Sequence, residues 1–297
     1  MRKAIALALT IGVATAALST AGCSTTTTGA PRSAPSATQP HQATYAPQVE
    51  LPFGEVINRP AGVAVDNADN VYVLDWYYGQ VWEAAGGTGR PVRLPFTGLG
   101  QGLAAAADTA GNLYVTDGKG KRVLKLAPGT ATPIALPFTN LDMIAGVAVD
   151  PAGGVYVSDS GAKRVWKLDP GSTTPTVLPF NAVHPDGVAA DTGGNVYVVD
   201  SAAKRVLKLA PGADSPTTLP FNDLKLPTDL AVDTRGNLYV VDLGTDRVLK
   251  LDAGAGAPTV LPFNDLKNPS YVAVDSEGNV YLNDGLHFRI LKLAVQR

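Results

Sequence analysis

The stretch that decides the fold is Gly187-Val-Ala-Ala-Asp191-Thr-Gly-Gly-Asn195-Val-Tyr-Val-Val-Asp200-Ser-Ala-Ala-Lys204-Arg-Val-Leu-Lys-Leu209-Ala-Pro-Gly212-Ala-Asp-Ser-Pro216-Thr-Thr-Leu-Pro-Phe221. Its first five residues are apolar up to the aspartate and suit a buried innermost strand. Thr192 to Asn195 is a turn, with glycine where a positive φ is needed. Val196 to Asp200, led by Val and Tyr, is a second strand. Arg205 to Leu209 alternates charged and apolar residues, the pattern of a half-exposed third strand. Thr217 to Phe221 is expected to be a fourth. Its proline cannot donate to a ladder, which places it on the outer edge of a sheet.

The unit recurs. Leu-Pro-Phe begins at Leu51, Leu94, Leu136, Leu178, Leu219 and Leu261, at intervals of 41 to 43 residues. Tyr72, Tyr114, Tyr156, Tyr197, Tyr239 and Tyr281 keep step, each followed three residues later by Asp. A second series, Asp66, Asp108, Asp150, Asp191, Asp233 and Asp275, closes each innermost strand. Four-stranded units of about 40 residues, repeated radially, make a β-propeller, here all-β and six-bladed. The phase at the ends adds a prediction. The chain stops after a third strand, Arg289 to Leu293, and an orphan strand, Val49 to Phe53, opens the domain. That N-terminal strand is expected to complete the last blade and close the ring.

The blocks Gly146-Val-Ala-Val-Asp150, Asn195-Val-Tyr-Val-Val-Asp200 and Lys204-Arg-Val-Leu-Lys-Leu209 resemble NHL repeats. The recurring Thr-Val-Leu-Pro-Phe, as at Thr176 to Phe180, is similar more narrowly to the extracellular sensor propeller of mycobacterial receptor serine/threonine kinases. The resemblance covers residues 49–297. It implies a sensor or adhesive module acting outside the membrane. No kinase motif accompanies it.

The domain is preceded by an address. Arg2 and Lys3 lead an apolar run from Ala4 to Leu18, too short for a membrane span, and small residues then reach Cys23, the one cysteine of 297 residues. Residues 1–22 read as a signal peptide. Ser19 to Cys23 resembles the lipobox of bacterial lipoproteins, with Thr20 where an aliphatic residue is usual, which implies lipidation at Cys23. No twin-arginine pair is present, so the general secretion route and a cell-membrane location on the extracytoplasmic face are expected. Residues 23–48 are rich in Ser, Thr, Pro, Ala and Gln and read as a flexible linker. The propeller is assigned residues 49–297.

A single cysteine excludes a disulfide framework. A net charge of −2 argues against a nucleic-acid partner, and 45% hydrophobic residues suffice for a core. Three histidines, one of them His41 in the linker, leave no three-histidine zinc site, and no cofactor is implied. An oxygen-ligand site among Asp223, Asp229 and Asp265 lacks the spacing of a calcium loop. Five second-strand aspartates have an arginine at i+5: Asp117/Arg122, Asp159/Arg164, Asp200/Arg205, Asp242/Arg247 and Asp284/Arg289. A residue required in every blade serves the blade, so these read as structural ion pairs. Trp166, in a third strand, reads as packing.

Candidate functional residues are those that break the repeat. Blade 1 reads Asp75-Trp76-Tyr77-Tyr78 and lacks the arginine. Blade 6 carries His287 and Phe288. Just before the innermost-strand core, where other blades have Gly or Ala, blades 5 and 6 have Asp229 and Tyr271. Ring closure makes blades 5, 6 and 1 neighbours, so these eight residues converge on one sector. Aromatic residues with a few polar groups suit a contact surface for an envelope or extracellular protein or glycan. Non-catalytic binding is therefore expected. The alternatives are a propeller lyase or lactonase acting at the central channel, and a structural envelope scaffold.

Overall fold

The computed structural model describes residues 43–100, 104–181 and 183–296. The expected signal peptide, the expected lipidation site Cys23 and most of the residues assigned to the linker lie outside the described residues. Within them the chain forms six four-stranded antiparallel sheets, each a blade. In blade 4 the strands run, from the axis outward, Pro185–Ala190, Val196–Asp200, Arg205–Leu209 and Thr217–Thr218. The second strands, such as Val155–Asp159 and Val280–Asp284, are buried at all five positions. Their Val and Tyr residues face the neighbouring blades on both sides, and the core is divided into clusters between successive blades.

The turn after the innermost strand is organised by its aspartate. Asp191 Oδ1 accepts the Gly193 and Asn195 amides, both at 2.9 Å, and Oδ2 accepts Asn195 Nδ2 at 2.7 Å and the Tyr197 hydroxyl at 2.8 Å. Gly194 sits at φ 76° to complete the turn. Burial works against the charged form of Asp191, but these hydrogen bonds outweigh it and hold the carboxyl below its usual range. The aspartate, asparagine and tyrosine of the repeat are thus one local network.

The outer strand is shorter than the sequence suggests. Its ladder ends before the proline, and Leu-Pro-Phe is a turn. Leu219 donates the last rung to Val206 O at 2.9 Å, and Phe221 then donates to Leu219 O at 2.8 Å, an i to i+2 bond around Pro220. All six copies repeat this bond at 2.8–2.9 Å. Proline supplies the fixed φ that an inverse γ-turn needs. The turn drops the phenylalanine inward, so that Phe53, Phe96, Phe138, Phe180 and Phe221 are all buried.

Ring closure occurs as expected, one strand from the start with three from the end. Val49 and Glu50 pair with Lys292 and Leu291, completing the sheet whose other strands are Arg289–Leu293, Val280–Asp284 and Pro269–Val274. The pairing reaches upstream into residues assigned to the linker. Ala46 donates to Ala294 O at 2.8 Å and Gln296 to Thr44 O at 2.7 Å. The Gln48 side-chain amide exchanges bonds with the Asn264 backbone at 3.0 and 2.8 Å. On the inner side, Asn283 Nδ2 of blade 6 donates to the Pro60 and Ala61 carbonyls of blade 1 at 2.7 and 2.8 Å.

Leu74, Val199 and Val241 occupy the position of Asn283 in three other blades, so an apolar side chain fits there. Asn283→Leu is expected to remove the inner clasp alone and to lower the unfolding free energy by about 1–3 kcal/mol, the usual cost of stranding buried carbonyls. Urea titration measures it.

Candidate functional site

On one face of the ring lie the hairpins between second and third strands and the loops that lead into each innermost strand. The second-strand aspartates tie them together from below. Asp117 accepts the Gly100 amide of its lead-in loop at 3.1 Å, the Gly120 amide of its hairpin at 3.0 Å, and Arg122 Nε at 2.9 Å. The expected arginine pairs form at Asp117, Asp200, Asp242 and Asp284. At Asp159 the carboxylate is taken by the Asp142, Met143 and Ala162 amides, and Arg164 lies over the Trp166 ring instead. Trp166 packs in the core between blades 2 and 3. Burial opposes the charge on Asp242, but the Leu226 and Lys225 amides, Thr245 and Arg247 more than compensate and hold its carboxyl below the usual range.

The same geometry buries one of the eight candidate residues, Asp75, beneath the face and turns a second, the half-buried His287, toward the carboxylate below it. Asp75 is 1% exposed and accepts the Asn58, Tyr77 and Tyr78 amides at 2.7, 2.8 and 3.1 Å. His287 Nδ1 meets Asp284 Oδ2 at 2.8 Å, beside Arg289. Both residues fix the loops on which the others stand.

Four of the eight are aromatic and project outward. Trp76, Tyr77, Tyr78 and Phe288 are 36–61% exposed, and Leu286 joins them at the surface. Tyr77 and Tyr78 meet edge to face with centroids 4.9 Å apart. Trp76, Phe288, Leu286 and Tyr271 line a depression of about 380 Å³, together with Arg59 and Ser270. Arg59 lies 5.7 Å over the Trp76 ring. Phe288 has φ 54°, a left-handed conformation that its counterparts fill with Lys121, Lys163, Lys204, Asp246 or Gly79. A bulky aromatic in that conformation is uncommon and mildly strained.

Asp229 and Tyr271 are aimed elsewhere by the backbone. A register shift falls between Pro227 and Asp229, and another between Pro269 and Val272. Such bulges re-aim side chains. Both residues line the central channel, a space of about 140 Å³ walled otherwise mostly by Ala and Val. Asp229 Oδ2 accepts the Val272 amide of blade 6 at 3.0 Å. On its other side the Asp229 Cα would lie 2.6 Å from a Cβ at Gly187, so blade 4 needs glycine there. Burial pushes the Asp229 carboxyl up to about 7 against its bonds from Val272 and Leu230, with Asp186 adding to the rise. Tyr271 reaches across the bore and packs against the cores on both sides of blade 1 and that between blades 2 and 3. Burial, then Asp229 and Asp186, push its hydroxyl well above the ordinary phenol range. Among the described residues no three His, Cys, Asp or Glu side chains gather in a way that could hold a metal ion.

The sector therefore divides into an exposed aromatic depression and a narrow central channel, with Tyr271 bordering both. Arg59 and Leu286 belong to the depression and were not among the candidates. Leu286 aligns with Lys119, Ala202 and Tyr77, so comparing that column of the repeat would have found it.

With this geometry in hand, comparison with known proteins is informative about the repeat and the fold. The family model for the NHL repeat matches residues 141–168, which fall within blade 3. No curated protein matches the sequence. Among solved structures, the chain is similar to a catalytically inactive virginiamycin B lyase from Staphylococcus aureus with quinupristin (TM-score 0.64, 12% identity, 85% of this chain and 100% of that chain). It is similar to a gluconolactonase from Xanthomonas campestris (TM-score 0.67, 14% identity, 81% and 87%). It is also similar to a chain of a nidogen–laminin complex (TM-score 0.64, 19% identity, 72% and 84%). At such identities the likeness establishes the shared propeller fold.

The raised Asp229 carboxyl has a measurable consequence. In the unfolded chain its value is about 3.9, so between that and about 7 the folded state holds the proton more tightly. Its contribution to stability is complete below about pH 4 and is lost as pH rises through about 7. Asp229→Asn should raise Tm relative to wild type near pH 8 and leave it little changed near pH 4, read by thermal unfolding at both. A pH-independent difference would contradict the assignment.

Proposed function

We propose that this propeller is a lipid-anchored binding module of the extracytoplasmic face, non-catalytic, holding a protein or glycan partner on the aromatic sector of blades 6 and 1. The observation that supports it most directly is the depression between Trp76 and Phe288, where exposed rings stand on loops immobilised by Asp75 and Asp284. Exposed aromatic clusters on a rigid support are suited to the apolar faces of sugars and to side chains of a protein partner. Phe288 adds weight, since strain retained at an exposed position is a pointer to function. The likeness to a chain of a nidogen–laminin complex is consistent with a propeller used for contact. The resemblance of the repeats to receptor-kinase sensor propellers points the same way. The anchor rests on Arg2 to Cys23 in the sequence. Among the described residues no helix is long and apolar enough to cross a membrane.

The test is a variant with Trp76, Tyr77 and Tyr78 changed to Ala and Phe288 to Gly, scored for capture of glycans and of envelope proteins. Capture should fall at least tenfold. Phe288→Gly alone should keep or raise stability by up to about 1 kcal/mol, because glycine accepts the left-handed conformation freely. Unchanged capture by the folded variant would sink the binding reading. Cys23→Ala should shift the protein from the membrane fraction to the soluble one after signal cleavage.

A second reading has its own support. Asp229, with its carboxyl near 7, faces Tyr271 in the channel, and perturbed acids mark catalytic sites more often than chance. The lyase and gluconolactonase among the similar structures make lactone opening or elimination the chemistry to assay. Activity toward a lactone panel that Asp229→Asn abolishes, with the aromatic variant unaffected, would favour this reading over the first.

A further inference from the structure

A cavity of about 780 Å³ lies away from the aromatic face, between blades 1 and 2. Its floor is the repeat's own network. Asp66 Oδ2 accepts the Tyr72 hydroxyl at 2.8 Å and Asn70 Nδ2 at 2.9 Å. In the five other blades the third strand places a lysine opposite that tyrosine. Lys125, Lys167, Lys208, Lys250 and Lys292 hold their ammonium groups 5.0–5.9 Å over the rings of Tyr114, Tyr156, Tyr197, Tyr239 and Tyr281. Blade 1 has Glu83 at this position, paired across the strands with Tyr72. The ring and its aspartate remain, the cation is gone, and a second carboxylate has taken its place.

The matching groove between blades 5 and 6 is filled from within. Tyr45 of the N-terminal strap packs there with Tyr239 and leaves Lys250 only 7% exposed. Among the described residues nothing covers the groove between blades 1 and 2 in this way, and its walls include Leu94, Pro95, Leu113, Leu126 and Pro128. We propose that this groove binds a primary alkylammonium group, seated over the Tyr72 ring beside Asp66 and Glu83, with its aliphatic stem along the leucine and proline walls.

Several physical arguments support it. The same fold elements hold a lysine ammonium in five sister blades, so the geometry for such a cation is already built five times. A cation over an aromatic face gains from the ring quadrupole, and the gain rises with desolvation. Burial, with the Asp66 charge adding, raises the Glu83 carboxyl, a cost that a bound cation would relieve. A cavity of this size is within the usual range for small-ligand sites. A hard divalent ion is a poorer fit, because it needs more oxygen ligands than two carboxylates on apolar walls provide. The ammonium group is common to free amines and to lysine side chains of a peptide, and the assay separates them.

Isothermal titration of the full chain with pentylamine, with a capped lysine peptide and with 1-pentanol provides the test. Saturable binding of at least one ammonium probe is expected, about tenfold or more tighter than pentanol and weakened by salt. Tighter binding of pentylamine assigns the groove to free amines; tighter binding of the peptide assigns it to a lysine-bearing chain. Glu83→Lys restores the residue of the other five blades and should keep or raise Tm while weakening the ammonium probe at least tenfold. Glu83→Gln, nearly isosteric, should weaken it in the same direction. Equal affinity for pentanol, no saturable ammonium binding at millimolar concentrations, or undiminished binding by folded Glu83→Lys would each overturn the proposal.

Discussion

A propeller depends on joining its last blade to its first. Every blade here packs its second strand against its neighbours, so an open ring would leave two such faces in water. The join is made twice. On the rim, Val49 and Glu50 add the fourth strand to blade 6, extended by Thr44, Ala46 and Gln48. Near the axis, Asn283 clasps the carbonyls of Pro60 and Ala61. The bonded residues are all 216 or more apart in the chain. Closing so long a loop is entropically costly and comes late in folding, so the final blade can be completed only after both ends of the domain exist.

Two rings of carboxylates stiffen the disc once it is closed. One ring, Asp66 to Asp275, binds the turns on the face away from the aromatic sector. The other, Asp75 to Asp284, binds the lead-in loops and hairpins on the face that bears it. Blade 1 departs from both patterns on the cationic side. Gln80 stands in place of the arginine and Glu83 in place of the lysine. These two absences leave exposed aromatic loops at one end of the blade and an acidic groove at the other.

Fold, blade number and the manner of closure were legible in the sequence because each is carried by residues close together in the chain and repeated six times. Leu-Pro-Phe was misread in detail. A proline in an apolar run signals a sheet edge, but nothing in the sequence distinguishes an edge strand from a γ-turn that ends one. Departures from the repeat mark one sector, and Trp76, Tyr77, Tyr78 and Phe288 do project outward there. Identity alone could not say which side of a loop a residue takes, so the buried Asp75 was grouped with its exposed neighbours. Asp229 and Tyr271 were visible as irregularities. Their direction was not, because a bulge in the innermost strand decides it. Arg59 escaped notice because its lead-in loop has no fixed residue to depart from. Glu83 was overlooked because only the stacked lysines of the other blades show what it displaces.

The strap that completes blade 6 also gives the disc a polarity. Tyr45 bridges to Val295, beyond the end of a third strand that starts, at Arg289, beside the hairpin of Phe288. The chain therefore enters the propeller at the pole opposite Trp76. The first described residues and the aromatic depression thus stand on opposite faces of the disc.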